Sequence, residues 1–338
     1  MASRLTTFGN DLYTGKRSFN FVGGRRTWYL IVGILVIASV LVPVVRGFNF
    51  GIEFRGGSQF QITNVAEAEA QPAIDAVASV VPETVAKVTI VGADGVRVQT
   101  DQLEQDDSHA VAAALSKAYD VDAAEVTSSY IGPSWGADVT RQAIFGLIAF
   151  LLLATIIMAL YFRTWKMSIA AIIALLCDLV VTVGVYAAVG FEITPAAMIG
   201  ILTILSYSLY DTVVVFDKVR ENTAEDGEES KRTFAESVNL AVNQTLVRSI
   251  NTSVVAALPV AAILFIGAGV LGADTLRDIS LALLVGIIVG TWSTVFLAAP
   301  LYSQLREGEP AVKRHDQRVL KERERAGGTP GLAELAAE

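Results

Sequence analysis

The sequence predicts a polytopic α-helical membrane protein with six transmembrane helices and a small α+β, ferredoxin-like domain set outside the membrane between helices 1 and 2. Three observations predict it. Only 18% of the 338 residues are charged, against about 25% in soluble domains, and the mean hydropathy is +0.51. Apolar runs of about 20 residues, the length that crosses a bilayer, occur near 28–47, 142–162, 168–190, 195–216, 247–268 and 278–302. They leave one sizeable hydrophilic insert, at about 48–140.

Residues 1–27 form a polar, basic N-terminal segment. The first run, "WYLIVGILVIASVLVPVV", follows the basic "GGRRTW", as a secretory signal would. It is too long for a signal core, lies far from residue 1 and has no small-x-small cleavage site after it, so it reads as an anchor. In the insert, "SQFQITN" alternates like a strand and "AEAEAQPAIDAVASVV" has helical spacing. "AKVTIVG" and "GVRVQTD" read as strands joined around "ADG". "DSHAVAAALSKAY" is a second helix with Asp107 or Ser108 as its N-cap, and "AAEVTSSYIG" closes the unit as a strand. The order β-α-β-β-α-β is the split ferredoxin-like arrangement.

Helices 2–6 occupy 141–304, interrupted at about 217–245 by a polar loop and an amphipathic helix. The tail, 305–338, is charged and then rich in Gly, Pro and Ala, the composition of a disordered segment or a mobile helix. Basic residues near span ends set orientation. Arg25 and Arg26 precede span 1, Arg163 and Lys166 lie between spans 2 and 3, Lys218 and Arg220 follow span 4, and the tail adds Arg306 to Arg325. All fall on one side of six alternating spans, which places both termini in the cytoplasm. The insert is then outside and acidic, and nothing in it supports nucleic-acid binding.

Charge inside hydrocarbon costs at least about 2.5–3.5 kcal/mol on insertion scales, so ionisable residues within spans are functional candidates. Asp211 lies roughly 24 Å along span 4 from Pro195, and Arg248 roughly 28 Å along span 5 from Gly267, at 1.5 Å per residue. The face behind Asp211 carries Ser208, Tyr207, Ile204, Thr203 and Gly200, a polar stripe leading to the carboxylate. Gln244, Asn251 and Thr252 share the face of Arg248 and offer it partners. An Asp211–Arg248 pair would be neutral, and protonating Asp211 would free the arginine. Asp178, near the middle of span 3 and facing Thr182, is a second proton site or a packing residue. The structural alternatives are a latch that fixes helix register and an arginine that snorkels to the interface. Gly286 and Gly290 read as helix packing. Cys177 is the only cysteine, and His109 and His315 stand alone. The sequence thus offers no catalytic set, metal site or cofactor loop.

Four patches resemble one family, SecF. "FNFGIEFRGG" carries Gly51, Phe54, Gly56 and Gly57 of the family's glycine-pair motif, and "YIGPSWG" carries Gly132, Pro133 and Gly136 of its Gly-Pro motif. "YSLYDTVVVFDKVREN" and "NQTLVRSINTS" resemble its fourth and fifth spans. Glu53 stands where the family usually has Asp. The resemblance implies an RND-superfamily subunit of the bacterial inner membrane that pairs with SecD. It implies use of the proton gradient to promote preprotein translocation through SecYEG after SecA, with YajC and YidC as further partners besides unfolded substrate and lipid. It ties Asp211 and Arg248 to proton conduction, with a further aspartate on SecD. An RND-type exporter of small molecules or lipids would call for larger external domains, and a receptor for a cytoplasmic output domain.

Overall fold

A computed structural model describes residues 10–92, 94–224, 231–268 and 274–325. Among them are six helices long and apolar enough to cross a membrane. Span 1 is α1 (Arg25–Arg46), span 2 is α5 (Pro133–Phe162), span 3 is α6 (Trp165–Val189) and span 4 is α7 (Pro195–Ala224). Span 5 is α8 (Phe234–Ala262), continued by π-helical turns at Ile263–Ala268. Span 6 is α9 (Asp274–Ser293), π-helical turns at Thr294–Ala298 and α10 (Ala299–Glu307).

The insert between spans 1 and 2 has the expected order. A short helix, α2 (Ile52–Arg55), precedes β1 (Gly57–Ile62), α3 (Gln71–Val80), β2 (Lys87–Val91), β3 (Gly95–Thr100), α4 (Gln105–Tyr119) and β4 (Val126–Ile131). The sheet runs β2-β3-β1-β4, with every neighbouring pair antiparallel. Phe60 faces Val98 across β1 and β3, and with Ile62, Val96, Val77, Val111 and Leu115 it forms the core under α3 and α4. The period of two sends Gln59, Gln61, Arg97 and Gln99 to the other face. Neither Asp107 nor Ser108 caps α4, which starts earlier, after Glu104. Asp106 and Asp107 instead occupy its first turn, where the helix dipole favours negative charge. The β2–β3 turn includes residue 93, outside the described residues.

Burial divides the membrane helices unevenly. About half of the apolar windows of spans 4 and 6, and 44% of that of span 3, is buried, against 11% for spans 1, 2 and 5. Close approach is built on small residues: a Cβ on Gly184 of span 3 would lie 2.3 Å from Ser39 Cβ of span 1, and one on Gly286 of span 6 would lie 2.3 Å from Ile204 Cγ1 of span 4.

The loop and amphipathic helix expected at 217–245 are absorbed largely into longer helices. Span 4 continues to Ala224, residues 225–230 lie outside the described residues, and span 5 starts at Phe234 behind a Thr233–Glu236 capping box. Pro259 removes a backbone donor within span 5, and the helix widens to π-turns four residues later. The tail differs from a disordered segment over 310–325, where α11 (Pro310–Arg325) packs Val312 and Val319 inward. Arg323 donates to both oxygens of Glu236, at 2.9 and 2.6 Å, and Asp316 accepts the Phe234 N–H at 2.8 Å. A charged sequence is helical here because a partner surface satisfies it. Residues 326–338 lie outside the described residues.

Both glycine motifs meet at the membrane surface. A Cβ on Gly136, in the first turns of span 2, would fall 2.7 Å from Phe54 O and 3.3 Å from Gly56 N, whereas one on Gly146 in the same helix meets nothing within 4 Å. Gly136→Ala is therefore expected to cost about 1–3 kcal/mol through overpacking, and Gly146→Ala to be neutral or to stabilise by up to about 1 kcal/mol. Thermal unfolding of the two variants in detergent measures the difference; equal midpoints would contradict this packing.

Candidate functional site: carboxylates in the helix bundle

The apolar interior of the bundle falls into two clusters. One, around Phe162, Met167, Val215, Phe216, Phe234 and Tyr302, lies toward the tail end of the bundle. The other, around Leu175, Tyr186, Ile201, Leu205 and Ala282, lies toward the sheet. Between them runs a layer of buried polar side chains: Asp178, Ser208, Asp211, Thr212, Ser249, Ser253, Ser293 and Thr294.

Asp178 is 3% exposed. Its Oδ2 accepts a 2.6 Å hydrogen bond from Ser208 Oγ, across spans 3 and 4, while Oδ1 is buried without a hydrogen-bond partner. Span 6 closes over this contact at a glycine, because a Cβ on Gly290 would come within 2.8 Å of both Ser208 Cβ and Oγ. Asp211, one turn along span 4 from Ser208, is 6% exposed. Its Oδ1 accepts from Ser249 Oγ of span 5 at 2.9 Å, and its Oδ2 is again buried without a partner. Hydroxyls extend the layer to span 6, with Thr212 to Thr294 at 2.9 Å and Ser253 to Thr291 at 2.5 Å. Each aspartate thus has one hydrogen-bonded oxygen and one buried oxygen without a hydrogen-bond partner in the protein, an arrangement that is costly while both carboxyls are charged.

The expected Asp211–Arg248 ion pair is absent. The neighbouring residue, Ser249, takes the inward position and is fully buried, which turns Arg248 to the outer face of span 5. There Nη2 donates to Tyr210 Oη at 3.3 Å, and both side chains are exposed on this chain. The proposed partners of Arg248 are engaged elsewhere or turned away. Gln244 bonds Asn222 and the Tyr13 carbonyl, Thr252 bonds the Arg248 and Ser249 carbonyls of its own helix, and Asn251 is exposed. Tyr207 carries a buried hydroxyl without a partner. Of the stripe leading to Asp211, Ser208 and Gly200 face span 6 or span 3, but Thr203 is exposed and bonds its own helix. Ser249 was missed by sequence reasoning because it follows the more conspicuous Arg248, although Ser253, one turn on, shares its buried face and reaches Thr291 of span 6. Gly51, Phe54, Gly56, Gly57, Gly132, Pro133 and Gly136 lie far from this layer in sequence and build the junction with the insert instead. Gly132 N-caps span 2, with Pro133 at its first helical position. Gly57 has φ 136°, and a Cβ there would sit 2.4 Å from Thr100 O.

A multi-pass helical bundle with ionisable groups buried in its interior, and an α+β domain carried on its first connection, defines the class of this protein. The chain belongs to the SecD/SecF family of protein export membrane proteins. The family profile "Protein export membrane protein SecD/SecF, C-terminal" matches residues 111–308, and the "SecD/SecF GG Motif" matches 42–63. The chain is 43% identical to the protein translocase subunit SecF of Streptomyces coelicolor, over 99% of this chain and 90% of that protein. It is 41% identical to SecF of Mycobacterium tuberculosis, over 98% and 76%. Its structure is similar to the crystal structure of SecDF from Thermus thermophilus, a translocon-associated membrane protein, with a TM-score of 0.76 and 28% identity, covering 86% of this chain and 39% of that one.

Ser208→Ala is expected to leave Asp178 without its donor and to cost about 1–3 kcal/mol. Gly290→Ala is expected to be at least as damaging, since it pushes Ser208 away and separates spans 4 and 6. Chemical denaturation of both variants in detergent checks this, and wild-type stability in Gly290→Ala would contradict the three-helix closure.

Proposed function

We propose that the chain works as the SecF-type half of a SecD–SecF accessory translocase, coupling proton movement across the membrane to preprotein translocation through SecYEG after SecA has inserted the substrate. The observation that carries the reading is the half-satisfied pair of carboxylates, Asp178 and Asp211, in the layer shared by spans 3, 4, 5 and 6. Protonating Asp211 removes the acceptor charge that holds Ser249 and so loosens span 5 against span 4. Deprotonating it draws them together. Asp178 takes the same part between spans 3 and 4. Arg248 acts from the outer face of span 5, where its charge sits beside Tyr210 and next to the helix position of Ser249.

The exposed face of spans 4 and 5 supports a partner chain. Arg248, Tyr210, Thr203, Ser206 and Asn251 are polar and turned outward within membrane-spanning helices. Polar groups facing hydrocarbon are costly, and such residues normally face other protein. The SecD subunit, with its own ionisable groups, is the partner this face fits. Both termini lie in the cytoplasm of a bacterial cell, where the basic flanks of the spans place them, and the insert meets substrate on the far side. SecYEG, SecA, YajC and YidC complete the assembly, and the chain makes and breaks no covalent bond.

Asp211→Asn keeps the shape and the hydrogen bond to Ser249 but cannot lose a proton. In membrane vesicles holding the SecD partner and the channel, it is expected to abolish the stimulation of preprotein translocation by the proton gradient while leaving SecA-driven translocation and membrane insertion intact. Asp178→Asn is expected to reduce that stimulation. Full gradient-dependent stimulation with Asp211→Asn would refute the reading.

A further inference from the structure

The polar face of the sheet rests on the short loop between spans 3 and 4, and one side chain holds it there. Glu192 lies in "GFEITP", and its side chain is only 9% exposed. Its Oε1 accepts from Lys87 Nζ of β2 at 2.9 Å. Its Oε2 accepts from Arg97 Nη1 at 3.4 Å and Gln99 Nε2 at 3.1 Å, both on β3. Three donors from two strands therefore converge on one carboxylate that belongs to the membrane half of the molecule.

The surrounding backbone makes the loop part of the same joint. Phe50 and Ile193 form a parallel bridge, in which Gly51 N donates to Ile193 O at 3.0 Å and Ile193 N to Asn49 O at 2.8 Å. Asn49 Nδ2 also reaches the Gly190 carbonyl at 2.9 Å. On its other side the loop begins span 4. Thr194 Oγ1 accepts the Ala197 N–H at 3.1 Å as an N-cap and donates to Asp278 Oδ2 of span 6 at 2.8 Å. Tyr186, near the end of span 3, donates to the Asp278 carbonyl at 2.8 Å. Residues 190–194 are thus joined to the sheet through Glu192 and to spans 3, 4 and 6 through rigid hydrogen bonds. A shift of span 4, the helix that carries Asp211, has no slack element between it and the sheet.

We propose that Glu192 is a positioning residue for energy transfer: it fastens the external domain to the start of span 4, so that movement of span 4 is delivered to the domain as movement of the sheet. This rests on the ion-coupled reading of Asp211. The pairing is well suited to the task, because three donors fix the orientation of one buried carboxylate, and removing its charge weakens its hold on Lys87 and Arg97.

The test uses the full chain assembled with its SecD partner in lipid nanodiscs, in a Cys177→Ala background, with spin labels at His109 of α4 and Gln304 of α10. E192Q is expected to broaden the interlabel distance distribution by raising the undocked fraction roughly tenfold or more, and to remove gradient-stimulated translocation. Arg97→Met is expected to act in the same direction, and combining Lys87→Met with E192Q to add little to E192Q alone. Asp211→Asn is expected to leave the distances narrow. An unchanged distribution in E192Q would overturn the proposal, and so would a broadened distribution with full stimulation, which would make the contact a structural tie only. Retained stimulation in Asp211→Asn would instead remove the ion-coupled reading, while broadening by E192Q would still establish the joint.

Discussion

The bundle depends on seating two aspartates in its buried interior. Each costs free energy that only close, well-aimed partners offset, and the helices are arranged to supply them. Ser208 donates across to span 3, Ser249 donates across to span 4, and Gly290 lets span 6 close over the first contact without a side chain in the way. Apolar clusters flank the layer at both ends. The deep burial of spans 3, 4 and 6, against the exposed spans 1, 2 and 5, is the large-scale consequence. Spans 3, 4 and 6 pack deeply around the carboxylates, and span 5 joins them through Ser249 and Ser253 while its other face stays exposed.

A neutral Asp–Arg pair would have been a static solution to the same problem. The arrangement found is less complete, because both carboxylates keep one bare oxygen and Arg248 is directed outward to Tyr210. Hydroxyl donors satisfy part of each carboxyl without cancelling its charge, which is the feature on which the proposed proton coupling rests. In the proposed assembly, an outward arginine faces the neighbouring subunit.

Much of this was legible in the sequence. The six apolar runs, the alternating insert and the intramembrane aspartates follow from periods of 2 and 3.6 and from the cost of charge in hydrocarbon, which are properties of single segments. The β2-β3-β1-β4 order follows from the split arrangement. What the sequence did not show depends on rotation and on partners. Arg248 and Ser249 are adjacent in sequence, yet one turns out and the other in, because a helix places neighbours about 100° apart. The order of the tail came from Arg323 meeting Glu236, a contact 87 residues apart that no local composition can signal. Glu192 likewise looks like an ordinary loop acid until the sheet is laid over it.

The central claim is that Asp211 changes its protonation state while buried. Infrared difference spectroscopy of the isotopically labelled chain in lipid, with the SecD partner present and pH stepped across the gradient's range, reads the carbonyl stretch of protonated carboxylic acid directly. The account predicts a protonated-carboxyl signal that appears and disappears with pH, one component of which is lost in Asp211→Asn while the Asp178 component remains. A pH-dependent spectrum identical in wild type and Asp211→Asn would contradict it.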